Sequence, residues 1–128
     1  MALKILDVDD DQDVLEARKM VLEHDGFEII QTTNIDVARE TLENESIDLI
    51  ILDVMMQKDS DGFNFAQHVK LNEKLKHIPI IMVTAVSQRT PFKFNPETDG
   101  AFLPVEKFLE KPVDPDLLIA TIRGLIKK

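Results

Sequence analysis

Four short apolar runs, Lys4 to Val8, Phe27 to Ile30, Ile47 to Leu52 and Ile78 to Val83, constrain the folding of this chain more than any other feature. Three of them are nearly unbroken rather than alternating. That is the pattern of strands covered on both faces, which belong to parallel sheets. A fifth, weaker run spans Lys107 to Glu110. Between the runs lie helical patterns. The first starts after Asp13, with Val14, Ala17 and Val21 as its inward stripe, Leu15 and Leu22 beside it, and Gly26 as its stop. The second starts at Asn34 as N-cap and turns Ile35, Ala38 and Leu42 inward, and the third covers about Phe63 to Leu71. The last has Asp114 as cap and Pro115 as its first residue, with Leu118, Ile122 and Leu125 on one face. This alternation with short connections predicts an open α/β sheet of the doubly wound kind.

The stretch from Ala85 to Glu106 breaks the rhythm, because Pro91, Pro96, Gly100 and Pro104 interrupt any helical stripe there. Where the alternation asks for a fourth helix, a short helix or a loop is expected. Phe92, Phe94 and Phe102 fall inside it, either as anchors for a partner or as packing that holds a long loop down. At 128 residues the length suits one domain, residues 1–128, and the last helical pattern ends so near Lys128 that no output domain is expected. The absence of cysteine excludes disulfides, thiol chemistry and cysteine-bound zinc, and suits a reducing cytoplasm. No apolar run approaches the ~20 residues needed to cross a bilayer, and the N-terminus enters a strand rather than a signal peptide. A cytoplasmic location without membrane insertion is expected. A net charge of -9, from 15 basic and 24 acidic residues, repels phosphate backbones and argues against direct nucleic-acid binding.

In parallel α/β sheets, ligands bind beyond the carboxyl ends of the strands. The first run ends in Asp7-Val8-Asp9-Asp10-Asp11, the third in Leu52-Asp53, the fourth in Val83-Thr84 and the fifth in Glu110-Lys111-Pro112. One edge thereby collects carboxylates, a hydroxyl and an ammonium. Clustered carboxylates repel one another unless a cation neutralises them, and an oxygen-only donor set favours Mg2+. A carboxylate beside such an ion can attack a phosphoryl group, because the metal and a lysine offset charge on the transferring oxygens. Taken singly, each residue has a plainer reading. Asp10, Asp11 and Asp13 suit the acidic start of a helix, Thr84 a strand-end hydroxyl, Lys111 the surface and Phe108 the core. Those separate readings leave unexplained why all these residue types fall at the ends of different strands.

Lys4-Ile5-Leu6 with Val8-Asp9-Asp10, the segment Asp48 to Met56, the segment Pro79 to Ala85, and Phe108-Leu109-Glu110-Lys111-Pro112 resemble, in order, the motifs of bacterial two-component response-regulator receiver domains. The resemblance covers nearly the whole chain. It implies a flavodoxin-like, five-stranded parallel sheet of order 2-1-3-4-5 with helices on both faces. It implies Asp53 as phosphoryl acceptor, and Asp9, Asp10, Asp53 and the Met55 backbone carbonyl around Mg2+. Thr84 and Lys111 would bind the phosphoryl oxygens, and Thr84 with Phe108 would form the switch that turns a charge change into a new partner surface. Because Phe108 has no hydroxyl, that switch works by packing alone. The implied donor is a sensor histidine kinase or a histidine phosphotransfer protein, and the output is altered binding to a downstream protein. Such a chain takes part in its own Mg2+-dependent phosphorylation without being a turnover enzyme.

Three departures stand out. Asp7 occupies a position that is usually apolar in the family, inside a strand covered on both faces, and it needs a partner or a shifted pKa. The loop after Asp53 lacks the familiar proline after Met56 and is one residue longer, and the span from Thr84 to Lys111 is also extended. Two rival readings accompany these. Asp7-Val8-Asp9 resembles the nucleophile motif of haloacid-dehalogenase-type phosphatases, with Asp7 attacking and Asp9 as general acid/base, but that leaves the Asp53 element without a role. A receiver-like module that binds partners without phosphorylation is the other. An EF-hand is rejected, because Gln12 and Arg18 stand where its glycine and glutamate belong. By the family resemblance, Met55 and Val86 flank the path of the hydrolytic water, and both are apolar. The phosphorylated protein should therefore keep its phosphoryl group well beyond seconds after donor removal. Phosphate release timed on the isolated phosphoprotein checks this.

Overall fold

The nearly unbroken runs carry apolar side chains for two faces, so they can be buried only between layers of helices. The computed structural model describes residues 3–53, 61–85, 107–111 and 113–126. Strands β1 (Lys4–Val8), β2 (Glu28–Thr32), β3 (Leu49–Asp53), β4 (Ile80–Ala85) and β5 (Lys107–Lys111) form one parallel sheet of order β2-β1-β3-β4-β5. This is the expected topology. The helices among the described residues are α1 (Gln12–His24), α2 (Ile35–Asn44), α3 (Asp61–Leu71) and α4 (Pro115–Ile126), the last following β5.

Alternate residues along the strands serve opposite faces, as the two-residue period of a strand requires. Leu6, Val8, Ile50, Leu52, Ile80 and Met82 pack with Ala38 and Leu42 of α2 and Phe65, Ala66 and Val69 of α3. On the other face Ile5, Leu49, Ile51, Ile81 and Val83 pack with Leu22 of α1 and Leu118 and Ile122 of α4. The second through fifth strands run one or two residues further than their apolar runs, to Thr32, Asp53, Ala85 and Lys111. A backbone ladder needs no apolar side chain, so the polar residues at the strand ends join it.

Helix starts follow capping chemistry. Asn34 Oδ1 accepts from the N–H groups of Asp36 and Val37, at 2.7 and 3.2 Å, and Asp11 Oδ1 accepts from those of Asp13 and Val14, at 3.0 and 3.3 Å. Because Asp11 is the cap, α1 begins at Gln12 rather than after Asp13. Its buried stripe also differs from the expected one: Leu15, Arg18 and Leu22 face inward, while Ala17 is exposed. An arginine inside the stripe hides it from a reading by hydropathy. Gly26, at φ 95, ends the segment in the left-handed conformation that glycine adopts most readily. At that turn Arg123 of α4 pairs with Asp25 and lies 5.3 Å from the centroid of the Phe27 ring. The segment 86–106, with its expected short helix or loop and its three phenylalanines, lies outside the described residues, as do Met55 and Val86.

Two substitutions separate capping from core packing. Asn34→Ala should cost about 1 kcal/mol, whereas Ile122→Ala, at a fully buried site, should cost ~2–5 kcal/mol. Urea unfolding monitored by circular dichroism reads both.

Candidate functional site at the carboxyl edge of the sheet

The parallel register sets which residues meet at the carboxyl edge. Val8 pairs with Leu52, so Asp9 and Asp53 are the next residues along β1 and β3. Asp53 pairs with Val83, one residue before Thr84, and Thr84 and Ala85 pair with Glu110 and Lys111. The backbones of Asp9, Asp53, Thr84 and Lys111 are thus brought to one edge by hydrogen-bonded pairing. For Asp53, Thr84, Phe108 and Lys111 only the backbone is described, and Met55 lies outside the described residues.

The side chains at the end of β1 are described in full. Asp10 is exposed, whereas Asp7 and Asp9 are completely buried. Arg18 of α1 reaches both: its Nε donates to Asp7 Oδ2 at 3.0 Å and its Nη2 to Asp9 Oδ2 at 2.9 Å. Gln31 of β2 donates from Nε2 to the same Asp7 oxygen at 3.1 Å and to the Leu15 carbonyl at 2.6 Å. Asp9 Oδ1 accepts from the backbone N–H of Asp11 at 3.0 Å, which joins the end of β1 to the cap of α1. Asp11 is therefore a capping residue, and Asp10 is left facing solvent at the tip of the turn.

The unusual carboxylate in β1 thus has both the partner and the pKa shift that its position demanded. Desolvation raises Asp7 from 3.8 to about 6; the Arg18 charge and the Gln31 hydrogen bond pull it down, and the Asp9 charge pushes it up. Its Oδ1 is buried and has no hydrogen-bond partner among the described residues. Arg18 and Gln31 were missed in the sequence. The available signal was a charged residue three positions after Leu15 and four before Leu22, on the spacing of a buried face.

The described side chains alone form no group of three or more His, Cys, Asp or Glu placed to hold a metal. Asp9 and Asp10 supply two carboxylates, and Asp53 is the third in register. An all-oxygen donor set of this kind fits Mg2+ and not a thiolate- or imidazole-seeking ion.

Residues 5–123 match the family model described as response regulator receiver domain. The chain belongs to this family. Receiver domains act in two-component signal transduction, generally bind Mg2+ at their acidic pocket, are phosphorylated by histidine kinases, and are not generally enzymes of the usual kind. This receiver is 34% identical over 124 residues to the transcriptional regulatory protein GltR of Pseudomonas aeruginosa, covering 97% of this chain and 49% of that protein. It is 32% identical over 128 residues to the phosphate regulon transcriptional regulatory protein PhoB of Escherichia coli, covering 100% of this chain and 53% of that one. The chain therefore spans about half the length of the curated relatives it matches.

Among solved structures, the receiver's fold matches a putative response regulator from Chloroflexus aurantiacus with a TM-score of 0.85, at 24% identity and 100% coverage of both chains. It matches the chemotaxis response regulator CheY4 of Vibrio cholerae with a TM-score of 0.82, at 25% identity, covering 98% of this chain and 99% of that one. Among the described residues, no helix is long and apolar enough to cross a membrane.

Between about pH 4 and 6 the native state of this receiver holds a proton on Asp7 that the unfolded chain has released. The contribution of Asp7 to stability is therefore greatest below pH 4 and is lost as the pH rises through 6. The stability of the wild type minus that of Asp7→Asn should fall between pH 4 and 6 and level off above about 7. Urea unfolding in chelator across that range measures the difference, and a difference independent of pH would contradict the assignment.

Proposed function

We propose that this receiver accepts a phosphoryl group on Asp53 from a phosphohistidine of a sensor histidine kinase or a histidine phosphotransfer protein. The observation that carries the reading is the register: Asp53 ends β3, next in line to Asp9 on one side and one residue short of Thr84 on the other, with Lys111 at the end of β5. A carboxylate oxygen of Asp53 attacks phosphorus, the bond from phosphorus to the imidazole nitrogen breaks, and its electron pair stays with the imidazole. The product is an aspartyl phosphate. Asp9, Asp10, Asp53 and the Met55 carbonyl would hold Mg2+, which when bound offsets charge on the phosphoryl oxygens. The Thr84 hydroxyl donates a hydrogen bond to one of those oxygens, and the Lys111 ammonium balances another.

The output is a change in what the domain binds. As Thr84 is drawn to the phosphoryl group, the ring of Phe108 repacks, and the surface around β4 and β5 alters for a downstream protein. The acidic balance of the chain, -9 overall, favours a protein partner over direct contact with nucleic acid, and the site works in the cytoplasm. GltR and PhoB are transcriptional regulators by name, and what this receiver controls is a matter of its own partners.

The phosphatase reading, with Asp7 as nucleophile, gains nothing from the geometry. Asp7 is wholly buried, with one oxygen held by Arg18 and Gln31, and a nucleophile must reach its substrate. Incubation with acetyl phosphate and Mg2+ should add one phosphoryl group, which peptide mass spectrometry assigns to Asp53. Asp53→Asn should abolish the modification, and Lys111→Met should slow it by roughly 100-fold, the cost of one donor to the transferring group. A phosphoryl group found on Asp7 would overturn the reading.

A further inference from the structure

Phosphoryl transfer to Asp53 leaves Arg18 without a task, yet its surroundings are not those of a surface arginine. Only 7% of it is exposed, and its guanidinium lies 3.0 Å from Asp7 Oδ2 and 2.9 Å from Asp9 Oδ2. Leu15 and Leu22, one turn away on either side, seat the same face of α1 in the core, so the packing of the helix fixes the reach of the arginine. Gln31 holds the far side of the pair by bridging Asp7 and the Leu15 carbonyl. A full positive charge is therefore built into the wall of the acidic pocket, bonded to one of the carboxylates that would bind Mg2+.

We propose that Arg18 is a positioning residue that serves the pocket as a fixed internal cation, orienting Asp9 through Oδ2 and keeping the affinity for Mg2+ low. This rests on the reading of Asp53, Asp9 and Asp10 as a phosphoacceptor site. The guanidinium offsets the repulsion between Asp9 and its acidic neighbours when no metal is bound, so the turn from β1 to α1 is formed in advance. The same charge reduces what a divalent ion gains on arrival, because part of the negative field is already spent on Arg18. Asp7 completes the arrangement as the second counter-ion of the buried arginine, which explains a carboxylate among the buried apolar residues of β1.

Mg2+ titration followed by amide NMR shifts tests this on the whole chain. Asp7→Val combined with Arg18→Met exchanges the buried ion pair for apolar groups, a change such interiors commonly tolerate. It leaves the hydrogen bond from the Asp11 N–H to Asp9 untouched. Asp7→Asn combined with Arg18→Gln is the polar counterpart, used if the apolar pair does not fold. Either folded double variant should bind Mg2+ about threefold more tightly than the wild type: one charge of each sign is removed, but the cation lost is the one bonded to Asp9 at 2.9 Å. Arg18→Lys, which keeps the charge, should stay close to the wild type. Equal affinity in a folded double variant and the wild type would overturn the proposal and reduce Arg18 to a counter-ion of Asp7. Absence of Mg2+ binding in the wild type would overturn the phosphoacceptor reading itself, and this inference with it.

Discussion

A strand buried on both faces can carry carboxylates only if the fold brings a cation to meet them. Asp7 in β1 and Asp9 just beyond its end lie wholly inside, and the cation is Arg18. Isolated, either charge would cost several kcal/mol to bury, and removing one member of such a cluster leaves the others uncompensated. The interaction therefore does more than satisfy charge. It fixes the rotation of α1, since only one face of that helix presents Leu15, Arg18 and Leu22 together. It also holds Asp9, whose second oxygen takes the Asp11 N–H, and Asp11 in turn caps the helix that carries Arg18. Strand, turn and helix thus close a loop of hydrogen bonds at the point where the functional edge begins.

The other half of the site is brought to the same edge by backbone pairing. In a parallel sheet all strands end at the same edge, so the residues that follow the apolar runs collect there without any further instruction. The positions of Asp53, Thr84 and Lys111 follow from backbone ladders that would persist with other side chains. The β1 side of the edge is positioned by buried electrostatics, and the Asp53 side by register.

This division also explains what could be read in the sequence. The strands, the helices and the identity of the edge residues followed from apolar runs and caps, because burial and capping leave local marks: Asn34 and Asp114 were legible as caps, and Ala38, Leu42, Leu118 and Ile122 as inward positions. Sheet order came only from the family resemblance, since nothing local to a strand names its neighbours. The inward face of α1 was misread, with Ala17 given the place that Arg18 takes, because hydropathy counts an arginine as solvent-facing unless its partners are known. Those partners lie 9 and 11 residues away in sequence, in a strand and just past its end. Asp7 was recognisable as an anomaly needing a partner, but nothing local in the sequence identified which residue that was.

The way α1 is held bears on how the domain passes on a charge change. One end is tied to the pocket through Arg18, and the turn beyond the other end is tied to α4 through Asp25 and Arg123. A helix clamped at both ends, with Leu22 packed against the sheet between them, makes a poor moving part. The opposite side of the sheet has a different character. Thr84 of β4 and Phe108 of β5 lie on paired strands two residues out of step, and β5 is the edge strand. A phosphoryl group drawing on Thr84 would pull at the strand next to Phe108, with no further strand beyond it among the described residues. Under the proposed chemistry, rigid support on the Arg18 side would direct the response toward β4 and β5, so the pairing of Arg18 with Asp7 and Asp9 would favour a change expressed at the far edge of the sheet.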